Sequence, residues 1–322
     1  MQQVTVVIPN YNGKQYLKSC LESLEQQTCE PSEIILVDNG SEDGSCDYIK
    51  AEFPGVHVVM LKENTGFCHA VNVGIQKAET PYVLLLNNDT EVKPDFIEQM
   101  VQGMERHPRA FSGAAQMLQF QERSKIDDAG NYYNALGWAF ARGKGKAATG
   151  YEKEQRIFAS CGGAAIYRKE ILDQIGLFDE LHFAYLEDID IGYRGRIYGY
   201  ENWYLPKAVV YHVGSGTSGS RYNLFKIRYS SRNNVYMIYK NMPILQLILN
   251  FPLLVLGFAA KIVFFASKGY GKEYVAGIKN GISLSLEGKR EGKKVKFSVK
   301  NTGSYLKIQW ELWVNVVRKL CG

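Results

Sequence analysis

Val4-Thr5-Val6-Val7-Ile8-Pro9-Asn10-Tyr11-Asn12-Gly13 begins as an apolar, β-branched run and ends in polar turn residues. A short apolar run closed by turn signals reads as a buried strand. Over residues 14–26, Tyr16, Leu17, Cys20, Leu21 and Leu24 then recur at helical spacing. The alternation continues. Residues 34–37 and 56–61 are apolar strands, 67–78 a helix, Tyr82–Leu86 a fourth strand and Phe96–Arg106 another helix, approached through Pro94, which suits a first helical turn. Strands separated by helices form βαβ units, so the expected fold is α/β with a doubly wound, mostly parallel, Rossmann-like sheet. Ligands of such sheets bind beyond the carboxyl ends of the strands. The polar residues gather there: Pro9 to Gly13, then Asp38-Asn39-Gly40-Ser41, then Asn87-Asn88-Asp89.

The chain has 322 residues, 46% of them hydrophobic and 22% charged, a globular balance that excludes a disordered chain or an integral-membrane average. Its six cysteines, at 20, 29, 46, 68, 161 and 321, are scattered without a C-x-x-C pair. That argues against a disulfide framework or a zinc site and for a reducing compartment. Met1 to Pro9 runs straight into a strand without a basic, then apolar, leader, so a cytosolic chain is expected. The net charge of +5 hides an asymmetry: residues 221–322 carry 18 Lys+Arg against 4 Asp+Glu, whereas residues 1–220 carry 20 against 29. A basic tail on an acidic body points to an anionic partner. Anionic lipid is favoured over nucleic acid, because the same region holds the longest apolar stretch.

Three stretches could carry chemistry. Asn87-Asn88-Asp89-Thr90 places a carboxylate and two amides at a strand end, either as hard oxygen ligands for a divalent cation or as an ordinary turn. Tyr185-Leu186-Glu187-Asp188-Ile189-Asp190 crowds three carboxylates ahead of a helical pattern at 191–198. One of them is either a helix N-cap or a general base. His212 ends a strand before a glycine-serine run at 215–220 that reads as a linker, and is either structural or a ligand for a transition metal.

The order of these elements carries more than any one of them. Val7-Ile8-Pro9-Asn10-Tyr11-Asn12-Gly13, Leu36-Val37-Asp38-Asn39-Gly40-Ser41, Glu63-Asn64-Thr65-Gly66-Phe67 and Leu86-Asn87-Asn88-Asp89-Thr90 resemble the family 2 inverting glycosyltransferases of GT-A fold. Gly176-Leu177-Phe178-Asp179-Glu180, Leu186-Glu187-Asp188-Ile189-Asp190 and Tyr211-His212 look like the second half of that family, closest to its bacterial rhamnosyltransferase-like branch. The resemblance covers about residues 3–240. It implies that Pro9, Asn10 and Tyr11 cradle a pyrimidine base, and that Asp38 and Asn39 read base and ribose. Asn64 and Gly66 would pass the nucleotide, with Asn88 beside the diphosphate. Asp89 and His212 would hold Mg²⁺ or Mn²⁺, and Asp188 would be the catalytic base. Glu187, Asp190, Arg194 and Gly163 would hold the acceptor or support that base, with Arg194 one helical turn beyond Asp190. Asn88 stands where the family usually has an acidic residue, and Cys68-His69-Ala70 replaces the usual small residues.

The implied reaction moves a sugar from a nucleotide-diphosphate donor, dTDP-L-rhamnose first, to a glycan or lipid-linked acceptor in polysaccharide assembly. UDP-galactofuranose, UDP-galactose and UDP-N-acetylglucosamine follow as donors. A non-catalytic sugar- or nucleotide-binding module is the alternative of another class. A dinucleotide oxidoreductase would need G-x-G-x-x-G after strand one, which Asn10-Tyr11-Asn12-Gly13 does not supply. Two regions are expected: a catalytic domain over 1–220, divided into nucleotide-sugar (1–110) and acceptor (111–220) halves, and a helical basic extension over 221–322. In that extension residues 224–239 form a helix. The run 244–266 places Gln246, Asn250, Gly257, Lys261 and Lys268 on one stripe, the pattern of an amphipathic helix lying on a membrane. A dimer or core helix and a membrane span are the competing readings. A chain ended near Asn241 is expected to stay soluble, and the whole protein to sit peripherally at the inner face of the cell membrane.

Overall fold

The computed structural model describes residues 3–214 and 223–321. The linker expected at 215–220 and the domain boundary at 220 lie outside the described residues. The first half alternates as the hydrophobic pattern requires: β1 (Val4–Asn10), α1 (Lys14–Glu25), β2 (Glu33–Asp38), α2 (Ser45–Glu52), β3 (His57–Met60), α3 (Phe67–Lys77), β4 (Tyr82–Leu86), β5 (Thr90–Val92) and α4 (Phe96–Arg106). A strand-rich stretch follows, with β6 (Ala110–Gln119), β7 (Ile126–Asp128), β8 (Asn131–Tyr133), β9 (Ala139–Ala141), β10 (Gln155–Ile157) and β11 (Ala164–Arg168). Then come α5 (Lys169–Ile175), α6 (Glu187–Ile197) and β12 (Glu201–His212). Four helices close the chain: α7 (Leu224–Asn241), α8 (Ile244–Ser267), α9 (Gly271–Arg290) and α10 (Thr302–Cys321).

The main sheet runs β10-β12-β6-β11-β4-β1-β2-β3, with β5 and β7 attached to β12 and β6. β4, β1, β2 and β3 are parallel. β11 is inserted antiparallel between β4 and β6, and β12 runs parallel to β6. Alternate residues of the central strands face opposite layers. Val6, Ile8 and Leu84 pack with Leu17, Leu21, Phe96 and Met100 of α1 and α4. Val7, Val83 and Leu85 pack with Val71, Ile75 and Leu172 of α3 and α5. Strands covered on both faces are apolar throughout, which is why their runs were readable. The sheet is doubly wound and matches the GT-A class.

Three features depart from expectation. α2 had no strong hydrophobic pattern to announce it. α6 begins at Glu187 rather than at 191, and its N-cap is Leu186, with φ +65°, so none of the three carboxylates caps it through a side chain. The stripe on α8 also faces the other way. Gln246, Asn250 and Gly257 are buried against the protein. The Tyr193 hydroxyl donates to Gln246 at 2.6 Å, and Asn250 and Gln309 of α10 exchange two amide hydrogen bonds of 2.8 Å. Gly257 has to be glycine, because a Cβ there would lie 2.0 Å from the Leu136 carbonyl oxygen. The outward side is apolar: Ile244, Leu245, Ile248, Leu249, Phe251, Val255, Leu256 and Val263 are all exposed.

The helical extension shares a core with the α/β body. Met237, Leu254, Tyr305, Ile308 and Leu312 pack in one cluster with Tyr133, Phe158, Ile189, Tyr193 and Tyr204. A chain ended near Asn241 would lack Leu254, Tyr305, Ile308 and Leu312 and so expose that cluster, which weighs against the expectation that it stays soluble.

Candidate active site

The carboxyl ends of β1, β2 and β4 are tied together by amides. Asn88 Nδ2 donates to Asn10 Oδ1 at 2.6 Å, and Asn10 Nδ2 donates to Asp38 Oδ1 at 2.8 Å. Asn39 continues the chain sideways: its Nδ2 donates to Asn64 Oδ1 and Gly66 O, and its Oδ1 accepts from Thr65 N. Pro9, Asn10, Tyr11, Asn39, Asn64, Gly66, Asn88 and Gly163 line one cavity of about 1020 Å³ above these strand ends. Asp38 does not line it. Its carboxyl is buried, accepting from Asn10 and from Ser41 N. Its contacts tie it to Asn10, which does line the cavity.

Glu187 and Asp188 line the opposite side of the same cavity. Asp188 Oδ2 accepts from Asn131 Nδ2 at 2.9 Å and Oδ1 from Ile189 N at 2.7 Å. Burial pushes Asp188 up to about 6, with those N–H donors working against it. Burial and the Asp188 charge together push Glu187 up to about 8. Glu187 Oε2 is buried and has no protein hydrogen-bond partner among the described residues. Phe183, Tyr185 and Leu186, just before this pair, hold φ of +62°, +73° and +65°. Each such conformation costs on the order of 1–3 kcal/mol and persists only when surroundings impose it. Phe183 also abuts the loop that carries Asn64 and Gly66. A Cβ at Gly66, where φ is +89°, would come within 2.6 Å of its ring, and Cys68 N donates to Phe183 O.

Asp89 and His212 meet on the cavity wall, with Asp89 Oδ1 3.3 Å from His212 Nε2. The His212 Nδ1–Asp127 Oδ2 distance is 2.8 Å, and Lys144 pairs with the other oxygen of Asp127. Burial alone would lower His212; its hydrogen bonds to Asp127 and Asp89 outweigh that and hold it up at about 9. Burial raises Asp128, which also lines the cavity, to about 7 despite a hydrogen bond from Gly130 N. Among the described residues no cluster of three or more His, Cys, Asp or Glu side chains forms a ready metal cage. The Asp89–His212 pair still fits a divalent ion. One carboxylate, one imidazole whose far nitrogen is fixed by a carboxylate, and substrate phosphate oxygens make an acceptable set.

Asp190 and Arg194 lie away from the cavity. Asp190 is fully buried and pairs with Arg194 at 3.0 Å, Lys240 at 2.8 Å and Asn241 at 2.7 Å. Its oxygens face these partners, and it serves the fold beneath the Glu187–Asp188 turn rather than the cavity wall. Arg194 braces it as the i,i+4 spacing implied and also caps the carbonyls of Ile175, Gly176 and Leu177. Sequence reasoning missed Asn131, Asp127 and Asp128. The adjacent pair Asp127-Asp128 was the only signal, and it lay in an irregular stretch with no motif around it.

The family model for glycosyl transferase family 2 matches residues 5–176. An N-acetylglucosaminyl-diphospho-decaprenol L-rhamnosyltransferase of Mycobacterium tuberculosis is 27% identical over 237 residues, which cover 66% of this chain and 77% of that one. Among solved structures, GalNAc-T7 with UDP, GalNAc and Mn²⁺ superposes with a TM-score of 0.60 at 19% identity. The match covers 74% of this chain and spans about half of that one, 48%. The mannosyltransferase PcManGT of Pyrobaculum calidifontis, in complex with GDP-Man and Mn²⁺, gives a TM-score of 0.53 at 15% identity, covering 91% and 88%. These structural likenesses concern the fold.

Proposed function

This chain belongs to glycosyl transferase family 2, and we propose that it transfers a sugar, with inversion, from a nucleotide-diphosphate donor to a saccharide or lipid-linked saccharide of a bacterial envelope polysaccharide. The observation that carries this reading is the single cavity lined on one side by the strand-end amides and on the other by Glu187 and Asp188. The nucleotide lies against Pro9, Tyr11, Asn39, Asn64 and Gly66, with its diphosphate near Asn88 and Asp89. Asp89 and His212 would hold Mg²⁺ or Mn²⁺, which would supply positive charge opposite the departing diphosphate. Asp188, oriented by Asn131, takes the proton of the acceptor hydroxyl. That oxygen bonds to the anomeric carbon from the face opposite the diphosphate, and the old bond's electron pair leaves on the phosphate oxygen. One displacement inverts the centre, so no second carboxylate acts as nucleophile. Glu187, neutral near pH 7 on its raised value, donates a hydrogen bond that positions the acceptor.

Likeness to the mycobacterial L-rhamnosyltransferase favours dTDP-L-rhamnose as donor and a polyprenyl-diphosphate saccharide as acceptor, with UDP-sugars as the other donor class. The protein works from the cytoplasmic side, peripherally on an anionic membrane, through the outward apolar face of α8. The test is Asp188→Asn, nearly isosteric but a far poorer base. Turnover falls roughly 10²–10⁴-fold while donor affinity stays within about threefold. In the parent enzyme kcat rises as pH increases through about 6, because Asp188 must be ionised to accept a proton. Loss of donor affinity in step with rate would assign Asp188 to the donor instead. A chain that binds donor but never turns it over would be a binding module.

A further inference from the structure

We infer that Asn233 of α7 is a positioning residue for the general base: it imposes the left-handed course of residues 183–186 and so aims Asp188 at the acceptor. This rests on the reading of Asp188 as base, and its contacts are independent of that reading. Asn233 is fully buried, and its single Nδ2 donates to three carbonyls of one short segment: His182 O at 2.8 Å, Ala184 O at 2.8 Å and Tyr185 O at 2.7 Å. Two N–H bonds shared among three acceptors force those carbonyls to converge, which an extended or right-handed backbone does not do. The neighbouring Arg232 adds Nη2 bonds to Leu181 O and His182 O and holds the Asn233 amide in place, its Nε donating to Asn233 Oδ1 at 2.9 Å.

The ends of the segment are held by the same helix. Tyr236 and Lys240 bond Asp179 at 2.7 and 2.6 Å, and Lys240 and Asn241 bond Asp190 at 2.8 and 2.7 Å. One face of α7 therefore grips residues 179–190 before, within and after the bend, and Glu187 and Asp188 lie between its last two grips. The segment has its own reason to relax, since three non-glycine residues sit at positive φ. Without Asn233, the carbonyls of His182, Ala184 and Tyr185 each lose a donor, while His182 O keeps bonds from Arg232 and Ala184 N.

The experiment compares Asn233→Ala with Asn234→Ala, the next residue on α7. Asn234 is also buried and hydrogen-bonded, but it serves Gly137 O and Tyr133, away from the segment. Two readouts are taken in the full chain: steady-state kinetics against pH, and deuterium uptake of the peptide covering 181–190. Asn233→Ala is expected to lower kcat roughly 10–100-fold, the cost of a catalytic group displaced by about an ångström. Donor KM stays within about threefold, the acid limb of the kcat profile shifts, and uptake over 181–190 rises. Asn234→Ala is expected to alter thermal stability alone. Asn233→Ser, which keeps one donor, gives intermediate values of each readout and replaces the alanine variant if that one does not fold. Unchanged uptake over 181–190, or equal kinetic losses in the Asn233 and Asn234 variants, overturns the inference. If Asp188→Asn keeps full turnover, the base reading fails, and the uptake comparison still decides whether Asn233 holds the segment.

Discussion

Glu187 and Asp188 are neighbours on the first turn of α6, yet their environments push them to about 8 and about 6. Pairs whose values are driven apart are suited to different protonation roles. The same burial has a cost in stability, and its sign is fixed. An unfolded Glu ionises near pH 4.3, whereas the folded Glu187 stays neutral until about 8, so the fold is favoured at low pH and that advantage is lost as pH rises between those values. Glu187→Gln should therefore melt above the parent at pH 8 and close to it at pH 4, measured by thermal unfolding without ligand. A parent that gains stability relative to Glu187→Gln on going to pH 8 would contradict the raised value. At Asp89 and His212, proposed to hold the ion, the expectation is a lost increment. Donor binding that strengthens on adding Mn²⁺ should lose that gain in Asp89→Ala, measured by thermal shift with and without chelator. Binding indifferent to chelator in the parent would remove the ion from the reaction.

At the scale of elements, α6 and α7 are joined by a buried charge network rather than by apolar contact alone. Lys240 is 4% exposed and reaches Asp179 at 2.6 Å and Asp190 at 2.8 Å; Asp190 also has Arg194. These positive neighbours pull Asp190 well below the usual carboxylate range despite its burial. Removing one partner from such a network leaves charge stranded in a medium that cannot solvate it, a loss of about 3–5 kcal/mol. Lys240→Met should show a loss of that size by chemical denaturation. A change below about 1 kcal/mol would mean that the network is locally redundant.

At the scale of the whole molecule, the basic extension and the exposed apolar face of α8 belong to the same part of the chain. Over its most apolar window α8 has a mean hydropathy of 2.2 and is only 17% buried. By length and composition it could cross a bilayer, yet crossing would tear Gln246 and Asn250 from Tyr193 and Gln309. An in-plane seat keeps those bonds and covers the outward leucines, isoleucines and phenylalanine. Trp310 and Trp313 are exposed on α10, residues suited to an interface. The full chain should float with vesicles rich in anionic lipid at low salt. Binding should weaken as salt rises, because each basic residue near the surface contributes about 1 kcal/mol that ions screen. The double variant Ile248→Glu/Leu256→Glu should lose flotation and keep donor affinity. Concentration-dependent dimers without flotation would give the face to a second copy of the chain, and retention until detergent is added would mean a span.

The strand ends at Asn10, Asp38 and Asp89 were legible because buried parallel strands are apolar on both faces, so each run and the point where it stops are local facts. The family followed from the order of those stops, and the proposed roles of Asp188 and His212 rest on it. Asn131 was not legible: it lies 57 residues from Asp188 in the chain, and no local pattern records that meeting. Nor was the direction of α8. Helical spacing showed that Gln246, Asn250 and Gly257 share a face, but not what the face meets. Periodicity fixes which side chains stand together; whether a polar stripe turns to water or to protein depends on partners supplied by other elements. Here Tyr193 and Gln309 supplied them, and the polar side went in while the apolar side went out.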